Sequence, residues 1–117
     1  MSWFQIFLKQ PSVAYRRDDV IFRRGDVADR MYVVAEGEVE IVIGDTVIDV
    51  VGPEGIFGQM ALVSQEQRSA TARARSDCRI VEIPEKRFVY LVQETPHFAL
   101  EVMRIMASRL RRRDPSP

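Results

Sequence analysis

A chain of 117 residues has room for one compact domain with a core of its own and little else. Its 46% hydrophobic and 29% charged residues are the balance of an ordinary globular protein. With 17 basic against 17 acidic residues, no net field points to nucleic acid or an acidic membrane. Cys78 and His97 are each alone, which excludes an internal disulfide and a multi-cysteine zinc site.

Residues 1–10 form an apolar N-terminal segment, Ser2-Trp3-Phe4-Gln5-Ile6-Phe7-Leu8, closed by Lys9-Gln10-Pro11. It has no basic stretch before it and no small-residue cleavage site after it, so it fits neither a signal peptide nor a membrane span, and a cytoplasmic location is expected. Its aromatics are expected to pack on the chain itself; contact with another chain, as in a homodimer, is the alternative. Turn signals then recur at Gly25-Asp26, Glu36-Gly37, Gly44-Asp45, Gly52-Pro53 and Gly55. Between and around them lie short β-branched runs: Val13 to Arg16, Val20 to Phe22, Met31 to Ala35, Val39 to Ile43, Thr46 to Val51, Thr71 to Arg75 and Arg79 to Ile83. The Gly44-Asp45 pair between two such runs is a hairpin signature. Evenly spaced short strands with glycine turns predict a mainly β fold over residues 12–83, an eight-stranded β-roll of the jelly-roll kind. The period changes after Ile83. Pro84 suits a first helical position with Glu85 behind it, and Phe88, Leu91 and Val92 share a face. Thr95 reads as the N-cap of a second helix starting at Pro96, with an apolar stripe of Phe98, Val102, Ile105, Met106 and Leu110. Residues 84–113 are therefore two C-terminal helices.

Chemistry concentrates in Ile56-Phe57-Gly58-Gln59-Met60-Ala61-Leu62-Val63 and in Arg68-Ser69-Ala70-Thr71. A glycine followed by a short helical turn presents unpaired backbone N–H groups to an anion. Nine residues after Gln59, the Arg68 guanidinium can grip a phosphate through two N–H donors. Ser69 and the Ala70 N–H add donors, and both side chains are small enough for a ligand to reach the backbone. Nothing in the stretch is an activated nucleophile: it is built to hold a phosphate, not to attack one.

This stretch resembles the phosphate-binding cassette of cyclic-nucleotide-binding domains, usually F-G-E-[LM]-A-L, a variable few residues, then R-[STA]-A. The resemblance extends over Ile21-Phe22-Arg23-Arg24-Gly25-Asp26, the Met31 to Ile41 block and the two helices after Pro84. It implies a sensor whose ligand is cAMP or cGMP, with cAMP favoured, and no cofactor or metal. Arg68 would bind the exocyclic phosphate, helped by Gly58, Met60, Ala61, Ser69 and Ala70. The last helix would fold over the base, and by spacing Arg109 is the arginine that some members set against it. The cassette glutamate, which in the family accepts the ribose 2′-OH, is here Gln59. Its amide oxygen still accepts, but without charge assistance, which lowers the bond from ~1.5–3 to ~0.5–1.5 kcal/mol.

Plainer readings exist for each residue. Arg68 is a surface guanidinium in this view, with Glu66 as an alternative partner. Gln59 alternatively caps a turn. Arg109 with Arg111, Arg112 and Arg113 suits a helix C-terminus on dipole grounds, so nucleic acid is not required. His97 is expected at a solvated helix start and Cys78 as a small residue at a strand start. Two function classes follow. One is a ligand-sensing regulatory domain that signals through its C-terminal helices to a protein partner or an effector domain. The other is a degenerate roll acting as an interaction module without nucleotide, which only Gln59 favours. An enzyme is not expected, because one histidine cannot build a cupin-type metal site. A helix-turn-helix is not found after the last helix, so any output is expected to run through sequence or a chain beyond this one.

Overall fold

The computed structural model describes residues 10–113, with side chains described through residue 109. The apolar stretch before residue 10 and the side chain of Leu110 lie outside the described residues. Eight strands and three helices follow in order: β1 (Val13–Tyr15), β2 (Val20–Phe22), β3 (Arg30–Glu36), β4 (Val39–Ile43), β5 (Thr46–Val51), β6 (Ile56–Phe57), α1 (Gln59–Ser64), β7 (Thr71–Ala74), β8 (Cys78–Pro84), α2 (Glu85–Glu94) and α3 (Pro96–Arg113). The strands form two antiparallel four-stranded sheets, β1-β8-β3-β6 and β2-β7-β4-β5. The mainly β roll with a short cassette helix and two C-terminal helices is thus the observed architecture. No helix among the described residues is long and apolar enough to cross a membrane.

Seven strands match the expected runs to within a residue or so; the eighth, β6, lies inside the cassette stretch, where its two residues pair with Tyr32 and Val33. One boundary differs. Pro84 does not open a helix but ends β8 with extended backbone (φ −61°, ψ 157°), paired with Arg30, and α2 starts at Glu85. Pro84 thus has the φ that proline favours while its ψ remains that of a strand. Thr95 and Pro96 lie where the sequence places them, at the junction of α2 and α3. His97 is exposed in the first turn of α3, and Cys78 is a buried free thiol at the start of β8.

Two cores share one sheet. Alternation along β3 sends Tyr32 and Val34 inward between the sheets, where they meet Val39, Val51, Phe57, Ala72, Ala74, Cys78 and Ile80. Met31 and Val33 point the other way, joining Ile56, Leu62, Val81, Ile83, Leu91, Phe98 and Val102 beneath the helices. Phe98 is fully buried, and burying a side chain of that size contributes ~1.5–3 kcal/mol. The first half of α3 is therefore a wall of the core, and Leu62 ties the cassette helix into that wall. In β4, Val39 and Ile41 face the inner core as their alternation predicts, whereas Ile43 at the strand end is exposed.

The turn between β3 and β4 requires glycine. Gly37 has φ +84°, and a Cβ there would stand 2.6 Å from Cys78 Cβ. Gly37→Ala is expected to lower stability by ~1–3 kcal/mol, from backbone strain and collision together. Gly52→Ala, where an added Cβ meets nothing within 4 Å, should stay within ~0.5 kcal/mol of the parent. Urea unfolding of the two variants side by side checks the contrast.

Candidate functional site

The turn at Arg23–Asp26 sets the position of Arg68. The Asp26 carboxylate accepts the Arg23 N–H at 2.9 Å, which closes the turn. The Arg68 N–H then donates to Asp26 O at 2.9 Å, and Arg68 O accepts the Gly25 N–H at 2.7 Å. With its backbone pinned on both sides, the side chain runs inward. Its guanidinium lies over the Phe22 ring, 4.2 Å from the centroid, and 5.7 Å from that of Tyr32. Phe22, Tyr32 and Phe57 themselves form an aromatic group, with Tyr32 stacked on Phe57 at 4.9 Å. A desolvated guanidinium over such faces gains ~2 kcal/mol.

Arg68 Nη1 donates to Gly58 O at 2.5 Å and Nη2 to Arg30 O at 2.6 Å. Arg68 is only 4% exposed, so it is not the surface guanidinium of the plainer reading, and it does not pair with Glu66. Phe22, Tyr32 and two main-chain carbonyls provide a lining that composition alone does not reveal. Among the described residues it makes no ion pair with a carboxylate, and its Nε–H is buried without a hydrogen-bond partner. Burial accordingly pulls its pKa below the ordinary guanidinium value.

Gly58 makes this approach possible. It caps α1 at φ +79°, and a Cβ on it would stand 2.9 Å from Arg68 Nη1 and 3.0 Å from Tyr32 Cδ2. The start of β3, which supplies Arg30 O, is itself tied down. The Arg30 guanidinium pairs with Asp29 at 2.9 Å and with Glu82 at 3.2 Å, and Glu82 accepts the Tyr15 hydroxyl at 3.2 Å. Burial, then the Glu82 charge, pushes the Tyr15 pKa up to about 12.

Beside Arg68 lies a cavity of about 80 Å³. Gly58, Met60, Ala61, Arg68, Ser69, Ala70 and Arg109 all line it, so seven of the eight residues singled out from sequence converge there. Gln59 does not line it. The Gln59 side chain is fully buried, and neither its amide oxygen nor its amide nitrogen has a hydrogen-bond partner. Four lining residues were not singled out: Phe22, Ile41, Asp49 and Phe57. Asp49 had a signal, being the single acid inside the β-branched run from Thr46 to Val51. Arg109 reaches the site from the far end of α3, donating Nη2 to Ile56 O at 2.6 Å and pairing Nε with Asp49 at 3.3 Å.

Known proteins share this sequence span and this fold. Residues 12–95 match the cyclic nucleotide-binding domain family. The Cyclic AMP receptor protein of Thermus thermophilus is 30% identical over 105 residues, covering 86% of this chain and 49% of the relative. The crystal structure of the Thermus thermophilus catabolite activator protein superposes with a TM-score of 0.79 at 28% identity, covering 89% of this chain and 51% of that one. An EAL enzyme solved in cAMP-bound and cGMP-bound forms gives TM-scores of 0.66 and 0.67 at 30% and 31% identity. In both, 28% of that chain is covered, against 86% and 87% of this one. The chain spans between 23% and 49% of the length of the curated relatives it matches. With the family's sequence span, its roll and a cassette-lined cavity all present, the chain belongs to the cyclic nucleotide-binding domain family.

Proposed function

We propose that this is a ligand-sensing regulatory domain that binds a cyclic purine nucleotide, cAMP ahead of cGMP, and passes the bound state on through α2 and α3. The observation that carries the reading is Arg68, a cation that is 4% exposed, makes no carboxylate ion pair among the described residues and stands at the wall of a cavity. A buried charge without a counter-ion is costly, and an anion entering beside it supplies one. In this reading the cyclic phosphate sits against Arg68, the Ser69 hydroxyl and the main chain at Gly58, Ala61 and Ala70. Phe22, Ile41 and Met60 offer apolar wall to the purine, and Arg109 stands over it. The name of the Thermus relative is the ground for placing cAMP first.

The role proposed is regulatory, not catalytic. The cavity wall carries no thiol and no imidazole, and its one carboxylate, Asp49, is ion-paired with Arg109. Transmission has a physical route. Leu62 of the cassette helix shares a core with Leu91 of α2 and with Phe98 and Val102 of α3, so moving the cassette repacks the helices. A ligand shifts that packing only by its preference for one arrangement over the other. The receiver is a protein partner or effector domain beyond this chain, or a second copy of it. No role for nucleic acid or membrane is proposed, and the setting is cytoplasmic.

One observation favours the second reading, a roll that holds a protein without nucleotide. Gln59 stands where the family's ribose-binding glutamate stands, yet does not line the cavity. Calorimetric titration with cAMP and cGMP decides between them: saturable heat with either nucleotide supports the sensor, and none at millimolar concentration supports the interaction module.

Two variants refine the reading. Arg68→Ala leaves Gly58 O and Arg30 O without their donors, so it should lower stability by ~1–3 kcal/mol as well as weaken nucleotide binding by ~2–5 kcal/mol. Titration well below its melting temperature, with circular dichroism as the check on folding, separates the two losses. Gln59→Leu removes a buried amide that has no partner, and should stabilise the ligand-free chain by ~1–2 kcal/mol. If Gln59 turns to the ribose on binding, the same variant binds cAMP more weakly while melting higher. A variant that melts higher and binds equally well would show that Gln59 makes no ligand contact.

A further inference from the structure

The Asp49–Arg109 pair stands between two cavities. One is the 80 Å³ space at the cassette; the other, of about 300 Å³, lies between α3 and the β5–β6 connection. Asp49 and Arg109 line both, and Gly52, Pro53, Gly55, Ile105 and Ser108 line only the second. The cassette cavity alone is well short of the ~300 Å³ or more that a small-molecule site of nucleotide size occupies.

We propose that Asp49 is a positioning residue that holds Arg109 as a partition across this site, and that ligand entry requires the partition to open and the two cavities to join. This rests on the nucleotide reading above and adds how the site is controlled. The contacts are those of a closed latch. Arg109 is held by Asp49 at 3.3 Å and by Ile56 O at 2.6 Å, and both side chains of the ion pair are less than one-fifth exposed. Asp49 and Ile56 flank the β5–β6 connection, so Arg109 pins the end of α3 to the approach to the cassette. Only Asp49, among the residues lining the cassette cavity, is acidic, so removing its charge takes away the carboxylate paired with Arg109 there and leaves the neutral contact at Ile56 O in place. The ligand-free chain is then mostly closed. The apparent affinity for ligand is the intrinsic affinity reduced by the open fraction.

The test uses the whole chain, with Asp49→Asn, which keeps shape and loses charge, and Asp49→Glu, which keeps the charge. The probe is cAMP, followed by stopped-flow binding. Asp49→Asn should bind roughly three- to tenfold more tightly through faster association, with dissociation unchanged, while Asp49→Glu stays near the parent. Amide exchange over residues 105–109 of the ligand-free chain should quicken severalfold in Asp49→Asn, with β3 and β8 unchanged. Weaker binding through faster dissociation would make Asp49 a ligand contact and overturn the latch. Unaltered exchange at residues 105–109, or quickened exchange throughout the roll, would also overturn it. A parent chain that takes no cAMP refutes the nucleotide reading alone, and the exchange measurement then decides the latch.

Discussion

A buried guanidinium that makes no ion pair with a carboxylate among the described residues is the constraint around which this structure is arranged. Arg68 needs acceptors and receives two main-chain carbonyls, from Gly58 and Arg30. It needs polarisable surface and receives Phe22. Each provision places a demand on another part of the chain. Gly58 must lack a side chain, the Arg23–Asp26 turn must close, and β3 must begin at a fixed height. The two carbonyls accept from Nη1 and Nη2 but bring no formal charge to balance the guanidinium, and its Nε–H is left without an acceptor. That division suits a receptor, because a carboxylate partner would compete with any anionic ligand for the same cation.

The roll and the helices are coupled because the sheet β1-β8-β3-β6 serves two cores. Its inner face closes the roll around Tyr32, Val34 and Ile80, and its outer face carries α2 and α3 through Met31, Val33, Val81 and Ile83. The cassette helix inserts Leu62 into the outer core while its neighbours Met60 and Ala61 line the cavity. The six-residue cassette helix therefore touches both the cavity and the helical layer, with no separate linkage between them.

Most of the fold was legible in the sequence because strand runs, glycine turns and the change of period after Ile83 are local signals. The Gly44-Asp45 hairpin and the Pro96 helix start were read directly from residue types. Pro84 was misread because its ring fixes φ alone, and the ψ that continues β8 comes from pairing with Arg30 across the sheet. Seven cassette and helix residues were legible as a group from their motif. The burial of Arg68 was not, since it depends on Phe22, Tyr32 and Arg30, which lie 36 to 46 positions away in the chain and meet it only through the roll. Asp49 escaped for the same reason: its partner Arg109 is on the last helix. Gln59 kept its place in the motif and left the cavity wall, a matter of side-chain direction that no sequence pattern records.

The two sheets differ in how much change they can absorb. Met31, Tyr32, Val33 and Val34 of β3 are buried in unbroken succession, on both faces, whereas on β5 Val47, Ile48 and Val50 are more than one-third exposed. β5 is also an edge, bonded only to β4. A substitution in the middle of β3 disturbs one core or the other wherever it falls, while most of β5 can vary with small effect on folding. The acid that reaches the cavity, Asp49, is carried on this permissive strand, and the strand that supports the buried Arg68 is the restrictive one. Related chains of this design are thus free to change the acid that faces Arg109 without rebuilding the support of Arg68.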